Sequence, residues 1–521
     1  VAVRHTLRVA AAATCALALL ALPAGAGTEG PGSAGVGDPY FPTDGNGGYD
    51  VTHYDIRLKY QPSDDRLQGT TTIVARPTQD LTRFNLDFAL KVNSIRVNGA
   101  PVRTFTQKGK ELQVTPATTL RRDSLLTIVV DYADTPSQVK VDGQTAWRRT
   151  SDGAVAIDEP HISSWWFPGN DHPTDKATFD ISVAVPQGTE VLSNGVLKSS
   201  PTQHGWTRWN WRSTKPMATY LAFLAVGQYE INTKTGHNGQ PFVTAYAQGL
   251  GEVEGAAKAS IERTPEVLDF LVNLYGEYPF EAQGGVVPKE GLGFALENQT
   301  RPTYSPAFFR AGANTYVVVH ENAHQWFGDS VSVQTWRNVW LNEGFATYSE
   351  WLWSEAKGEG TAQEVFDYEY ASRSADDPFW QVLPGDPGAN QVFHNAVYDR
   401  GAMTLHALRT EVGDGAFFAI IKDWVSKKKY QNGTIEEFVA LAEKISGKKL
   451  DKLFQTWLFT KGRPSVGEQS GVAASAAQAA SQFAAAASAG DAAPALPAKP
   501  KSVDKIRQTH ETLHSQHGAG R

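Results

Sequence analysis

Cysteine is nearly absent from this chain: its 521 residues include one, Cys15. That residue lies in an apolar run, Val9 to Leu22, preceded by Arg4 and Arg8 and followed by Ala24-Gly25-Ala26. This layout predicts a secretory signal peptide over 1–26, cleaved near Ala26. The run is short for a bilayer span, so no stable membrane insertion is expected. The segment has no Arg-Arg pair, which disfavours a twin-arginine route. The mature protein would then have no thiol, which excludes disulfides and thiol catalysis. An excess of positive charge is also missing. The net charge is −7, and with no basic patch or stripe a nucleic-acid partner is not expected. What is present is apolar: 41% hydrophobic residues and fourteen tryptophans, enough for a large buried core in two or three domains.

The texture of the chain changes four times. Residues 27–48 are rich in Gly and Pro and read as a leader with little regular structure. From Tyr49 the apolar residues alternate, with Tyr54, Ile56, Leu58 and Tyr60 on one face, then Phe179, Ile181, Val183 and Val185. An N-terminal β domain is therefore expected over 49–235. Beyond "TGHNGQP" the period becomes helical and several segments stop at Gly, so 236–466 reads as a mainly helical domain. Residues 467–521 are low in complexity, with too few large apolar residues to build a core, and are expected to be a disordered tail.

The chemistry lies in a pattern that occurs twice, His-Glu-Asn-Ala-His at 320–324 and His-Glu-Thr-Leu-His at 510–514. Two histidines at i and i+4 share a helix face and can reach one ion, while the Glu after the first can take a proton from water. A catalytic zinc also needs a third protein ligand. After 510–514 only seven residues remain, none of them acidic, so this copy reads as a solvated segment and at most a weak scavenger of metal ions. After 320–324 come eighteen residues and then Glu343 in "WLNEGFATYSEW", an acid among large apolar side chains that needs a partner such as a metal. Thr347 and Glu350, at i+4 and i+7 from it, could orient the ligands.

The stretch "HENAHQWFGDSVSVQTWRNVWLNEGFATYSEW" resembles the core of the aminopeptidase N-like gluzincin zinc metallopeptidases. "GFALENQT" (293–300) resembles their exopeptidase motif, and "EPHISSWWFPGNDHPTDKATF", "KPMATYLAFLAVGQYE" and "AVYDRGAMTLHALR" resemble further blocks, so the likeness covers about 38–466. The resemblance implies an α+β multidomain fold, a saddle-like β-sheet domain followed by a thermolysin-like catalytic domain. It implies one zinc ion per chain held by His320, His324 and Glu343, with Glu321 as general base and Tyr398 stabilising the oxyanion. Substrate-binding residues would be Glu297 and Glu159, which hold the free α-amine of a peptide, with Ala295 and Asn298 from the exopeptidase motif. The implied activity is that of a secreted zinc aminopeptidase. Its alternatives are an endopeptidase on the same zinc chemistry and a catalytically silent peptide-binding protein. Phe294 and Leu296 replace the motif's usual Gly and Met, which should alter side-chain preference or backbone pose. Similarity ends near Val466, where many members continue into a helical domain that closes over the site, so a more open cleft is expected.

Overall fold

The structure is a computed structural model that describes residues 29–465 and 496–514. The expected export signal, 1–26, and the alanine-rich stretch of the tail lie outside the described residues. Alternation of apolar residues decides the first domain. Its main strands are β1 (Tyr49–Gln61), β2 (Arg66–Pro77), β3 (Val92–Val97), β4 (Leu126–Asp134), β5 (Lys176–Pro186), β6 (Val196–Ser199) and β7 (Trp206–Ala218). With two short flanking strands they form a nine-stranded sheet in the order β6-β7-β5-β1-β2-β4-β3. β1 and β5 run parallel, with Tyr54 opposite Phe179, Ile56 opposite Ile181 and Leu58 opposite Val183, so both alternating faces meet in one core. Two four-stranded sheets complete the domain.

The leader has almost no regular structure, yet it is stitched into the molecule. Buried Asp38 accepts a 2.8 Å bond from the Trp336 backbone amide and pairs with His172 at 3.2 Å, which ties the leader to both domains.

The boundary expected at 235/236 falls inside a hairpin. Strands β8 (Tyr229–Thr235) and β9 (Pro241–Ala247) pair antiparallel, and "TGHNGQP" is the turn between them, with Asn238 and Gly239 both at positive φ. Turn chemistry marks hairpins and linkers alike, so composition alone placed the border one strand late. The sheet continues through β10 (Gln283–Val287), β11 (Ala295–Leu296) and β12 (Thr303–Tyr304) in the order β8-β9-β10-β12-β11. Around it lie α1 (Val253–Ile261), α2 (Thr264–Tyr275), α3 (Thr315–Ala323), α4 (Trp340–Lys357), α5 (Ala362–Ala371), α6 (Asn395–Val412), α7 (Asp414–Lys427), α8 (Ile435–Ser446) and α9 (Asp451–Phe459).

Two glycines set how closely α4 and α6 cross. A Cβ on Gly401 would stand 3.0 Å from Gly344 Cα, and one on Gly344 would stand 3.0 Å from the Gly401 carbonyl carbon. Backbone meets backbone here, which draws the residues around Gly401 onto those around Glu343.

The expectation of a disordered tail is corrected at its far end. Val503–His514 form a helix, α10, packed against α3, with Val503, Ile506 and Leu513 in the core. Averaging composition over 467–521 hid an apolar stripe at helical spacing, 503, 506 and 513, with His510 on the same face, and that stripe has a surface to cover.

Candidate active site

Helix α3 is capped by Asn314, whose side chain accepts from the Tyr316 amide at 3.1 Å. Its last turn presents His320 and His324 on one face, both buried. Glu343 enters from the first turn of α4, with its Oε2 3.4 Å from His320 Nε2 and 3.3 Å from His324 Nε2. Ligand atoms bonded to a tetrahedral zinc at about 2.0–2.1 Å stand about 3.3–3.4 Å apart, so this trio has the spacing a zinc ion requires. The opposite ring nitrogens are engaged: His320 Nδ1 with Glu350 Oε1 at 2.7 Å, and His324 Nδ1 with the Phe327 carbonyl at 2.9 Å. Each bond places the ring proton on Nδ1 and leaves the Nε2 lone pair for a metal. Glu350 thus plays the supporting part expected of it. Thr347 does not, since its buried hydroxyl has no hydrogen-bond partner among the described residues.

The electrostatics are those of acids and imidazoles buried together. Burial works to raise Glu343, but His324 and His320 outweigh it and hold the carboxyl at about 2. Burial would lower both histidines, yet the acids around them win: His320 is raised by Glu343 and Glu350, and His324 well above its usual range by Glu343 and Glu297. Burial pushes Glu321 up to about 8 against the pull of the same histidines, and its Oε1 is buried with no hydrogen-bond partner among the described residues. That orphaned oxygen is where a general base needs a free lone pair.

The remaining expected residues gather around this centre. Tyr398 on α6 lies stacked over the His320 ring, centroids 5.9 Å apart and planes 15° from parallel, carried there by the Gly344–Gly401 crossing. Burial and then Glu343 push its phenol well above the usual range, so it stays protonated and able to donate. Glu297 follows β11, accepts from Tyr220 Oη at 3.1 Å, and has a carboxylate oxygen within 4.8 Å of ligand atoms of Glu321 and His324. Glu159 comes from the β domain, and its Oε1 is buried without a hydrogen-bond partner among the described residues. Burial first, and then the charge of Glu297, pushes Glu159 well above the carboxylate range. No lysine or arginine among the described residues pairs with either acid.

Two members of the expected set are placed differently. Asn298 is fully buried with both ends of its amide in use: Nδ2 donates to the Leu221 carbonyl at 3.2 Å and Oδ1 accepts from Thr303 at 2.9 Å. It shapes the turn after β11, with one bond from each end of its amide spent on the protein itself. Ala295 lies in β11 opposite Tyr304 and can offer backbone and a methyl group only. Sequence reasoning missed Tyr220, Gln325, whose Nε2 donates to the Glu297 carbonyl at 2.9 Å, and His510 of the tail. Tyr220 and Gln325 lie in stretches already singled out, but nothing local marks either as a neighbour of Glu297.

Residues 51–221 match the peptidase M1 N-terminal domain and residues 262–457 the peptidase family M1 domain. The chain belongs to peptidase family M1. Among solved M1 structures, a zinc metallopeptidase from Deinococcus radiodurans is 30% identical, with a TM-score of 0.73 over 83% of this chain and 99% of its own. A mutant of that M1 enzyme bound to a Tyr-Ser-Ala substrate aligns at 29% identity and a TM-score of 0.75, covering 84% of this chain and 100% of its own. Among curated M1 relatives, the glutamyl aminopeptidase of Rattus norvegicus is 27% identical across 80% of this chain and 47% of the relative. The aminopeptidase N of Lactococcus lactis is 26% identical across 59% of this chain and 39% of the relative. The chain thus spans about half the length, or less, of the curated relatives it matches. The M1 assignment makes zinc the cofactor, and His320, His324 and Glu343 fit it in donor type and spacing.

Proposed function

We propose that this protein is a secreted zinc aminopeptidase that removes the first residue of peptides with a free N-terminus. The observation that carries this reading is the pair Glu159 and Glu297, two buried carboxyl groups beside the metal trio that no lysine or arginine among the described residues pairs with. A substrate ammonium supplies the missing charge, and a fixed distance from amine to metal selects the first peptide bond. β11 is the outermost strand of its sheet, so an extended peptide can lie along it and lead its amine to Glu297.

In this reading His320, His324 and Glu343 hold the ion, which when bound supplies Lewis acidity at the scissile carbonyl and lowers the pKa of water. Glu321 takes the proton from the attacking water and returns it to the leaving nitrogen. Tyr398 donates its phenolic hydrogen to the oxygen that becomes negative. Glu350 and the Phe327 carbonyl keep the two imidazoles in the right tautomer.

Hydrolysis of an aminoacyl-arylamide panel tests the reading, with and without a chelator, beside an N-acetylated peptide and the Glu321→Gln variant. Chelator-sensitive release from free amines alone is expected, and the variant should be inactive. Cleavage of the acetylated peptide would make the protein an endopeptidase, and no turnover with zinc bound would make it a silent binder. Export, proposed from the N-terminal segment, predicts a secreted form that starts near Gly27, which N-terminal sequencing reads directly.

A further inference from the structure

The second His-Glu-x-x-His pattern does not stand apart from the first; it lies against it. Thr509 Oγ1 accepts from Asn314 Nδ2 at 2.9 Å, so α10 holds the residue that caps the zinc helix. Arg507 pairs with Glu369 at 2.8 Å and anchors the middle of the helix. Next to this anchor His510, itself buried, points into the site from behind. Its Nδ1 is 2.6 Å from Asp399 Oδ1 and its Nε2 is 3.0 Å from Glu350 Oε1. That same Glu350 oxygen is 2.7 Å from His320 Nδ1.

The His510 ring therefore links two elements of the site. One neighbour, Asp399, adjoins Tyr398 on α6. The other, Glu350, is the carboxylate that orients a metal ligand. Because the other Glu350 oxygen, Oε2, has no hydrogen-bond partner among the described residues, its Oε1 carries both bonds. Loss of His510 would leave the carboxylate with one bond, able to turn away from His320. One turn further along α10, His514 sets its ring edge-on to Tyr398, centroids 4.5 Å apart.

We propose that His510 is a positioning residue of the active site, one that clamps Glu350 onto His320 and so sets the affinity of the metal centre from the C-terminal helix. This rests on the metal assignment of the proposed function, but its readout is binding. Supporting partners of a metal-ligating histidine typically change metal affinity by about 10- to 100-fold when lost. Competition with a chromophoric chelator gives the zinc Kd of the full chain and of three variants. His510→Ala should raise Kd about tenfold or more. His510→Gln, whose amide nitrogen stands where Nε2 was, should stay within about threefold of the parent, while His510→Asn, which reaches only Asp399, should behave like alanine.

A merely structural His510 would lower the melting temperature of all three and leave zinc Kd alone, and that result overturns the proposal. So does equal weakening in Gln and Ala, which would assign the effect to packing. Faster turnover in His510→Ala at unchanged zinc affinity would make α10 an obstruction and also overturns it. A parent that binds zinc tightly yet cleaves nothing would sink the aminopeptidase reading and leave this one standing. A parent that binds no zinc would sink both.

Discussion

Gly401→Ala separates two effects that usually move together, stability and catalysis. The new Cβ would stand 3.0 Å from Gly344 Cα, where neither neighbour is a side chain that can swing aside. Ordinary carbon contacts lie at about 3.5–4.0 Å, so α6 must move off α4 by about half an ångström. Overpacking of this kind costs about 1–3 kcal/mol. Replacing a mid-helix glycine by alanine returns about 1 kcal/mol of helix propensity. The net change in stability is therefore at most about 2 kcal/mol, a shift of a few degrees in a chain of this size.

The geometric effect has no such offset. Tyr398 lies one turn before Gly401 on the same helix, and Glu343 adjoins Gly344, so the separation acts directly between the phenol and the metal trio. A misplacement of about 1 Å can cost about 100-fold, so half of that should lower kcat about tenfold. KM should change less than twofold, because Glu159 and Glu297 are on other elements. Thermal unfolding, zinc titration and steady-state kinetics on aminoacyl-arylamides measure the three quantities. A variant with kcat within twofold of the parent and a raised Tm would mean that helix propensity won and that the close crossing does not position Tyr398.

Tyr398→Phe removes one oxyanion donor while keeping the ring on His320; kcat should fall about 100- to 1000-fold with zinc Kd unchanged, and a tenfold smaller loss would remove Tyr398 from that role. Glu321 is raised from an unfolded value near 4.5 to about 8 in the metal-free protein. Its contribution to stability is therefore complete below about pH 4.5 and lost as pH rises through 8, up to about 5 kcal/mol in all. In chelated samples melted from pH 5 to 9, the parent should lose stability relative to Glu321→Gln; parallel curves would refute the shift. Lys176 of β5 donates to the carbonyls of Asp329, Ser330 and Gln431 at 2.9, 3.0 and 3.3 Å across the domain junction. Ser332 still donates to the Gln431 and Asp329 carbonyls, so Lys176→Met strips only the buried Ser330 carbonyl of its donor and should cost about 1–3 kcal/mol, read as a lower Tm with kcat retained; an unchanged Tm would show that water takes its place.

Much of the site was legible because its signals are local or regularly spaced. The two imidazoles are fixed by one helical turn, and Glu343 by an apolar stretch that could be helical and buried. The β domain was legible for the same reason: strict alternation from Tyr49 onward can satisfy only a sheet with one covered face. What local pattern could not give is which polar groups are already engaged. Asn298 looked available beside Glu297, yet Leu221 and Thr303, far and near in sequence, use both ends of its amide. The domain border failed likewise, since a Gly-rich turn reads the same whether it joins strands or domains.

On sequence alone each His-Glu-x-x-His copy needs a third ligand of its own, and the second copy is followed by no acid and only by His517. A motif need not, however, build its own site. The i, i+4 spacing that lets a helix aim two imidazoles at one ion also lets α10 aim His510 at Glu350 and His514 at Tyr398. The partners of His510, Glu350 and Asp399, are 160 and 111 residues away, so no reading of the tail's own composition could locate them. An apolar stripe of 503, 506 and 513 flanking a buried histidine is, however, a surface in search of a cover, and a polar group on such a face must be matched where it docks. The second copy reaches the first site through one ring, His510, whose two nitrogens bond Asp399 and Glu350.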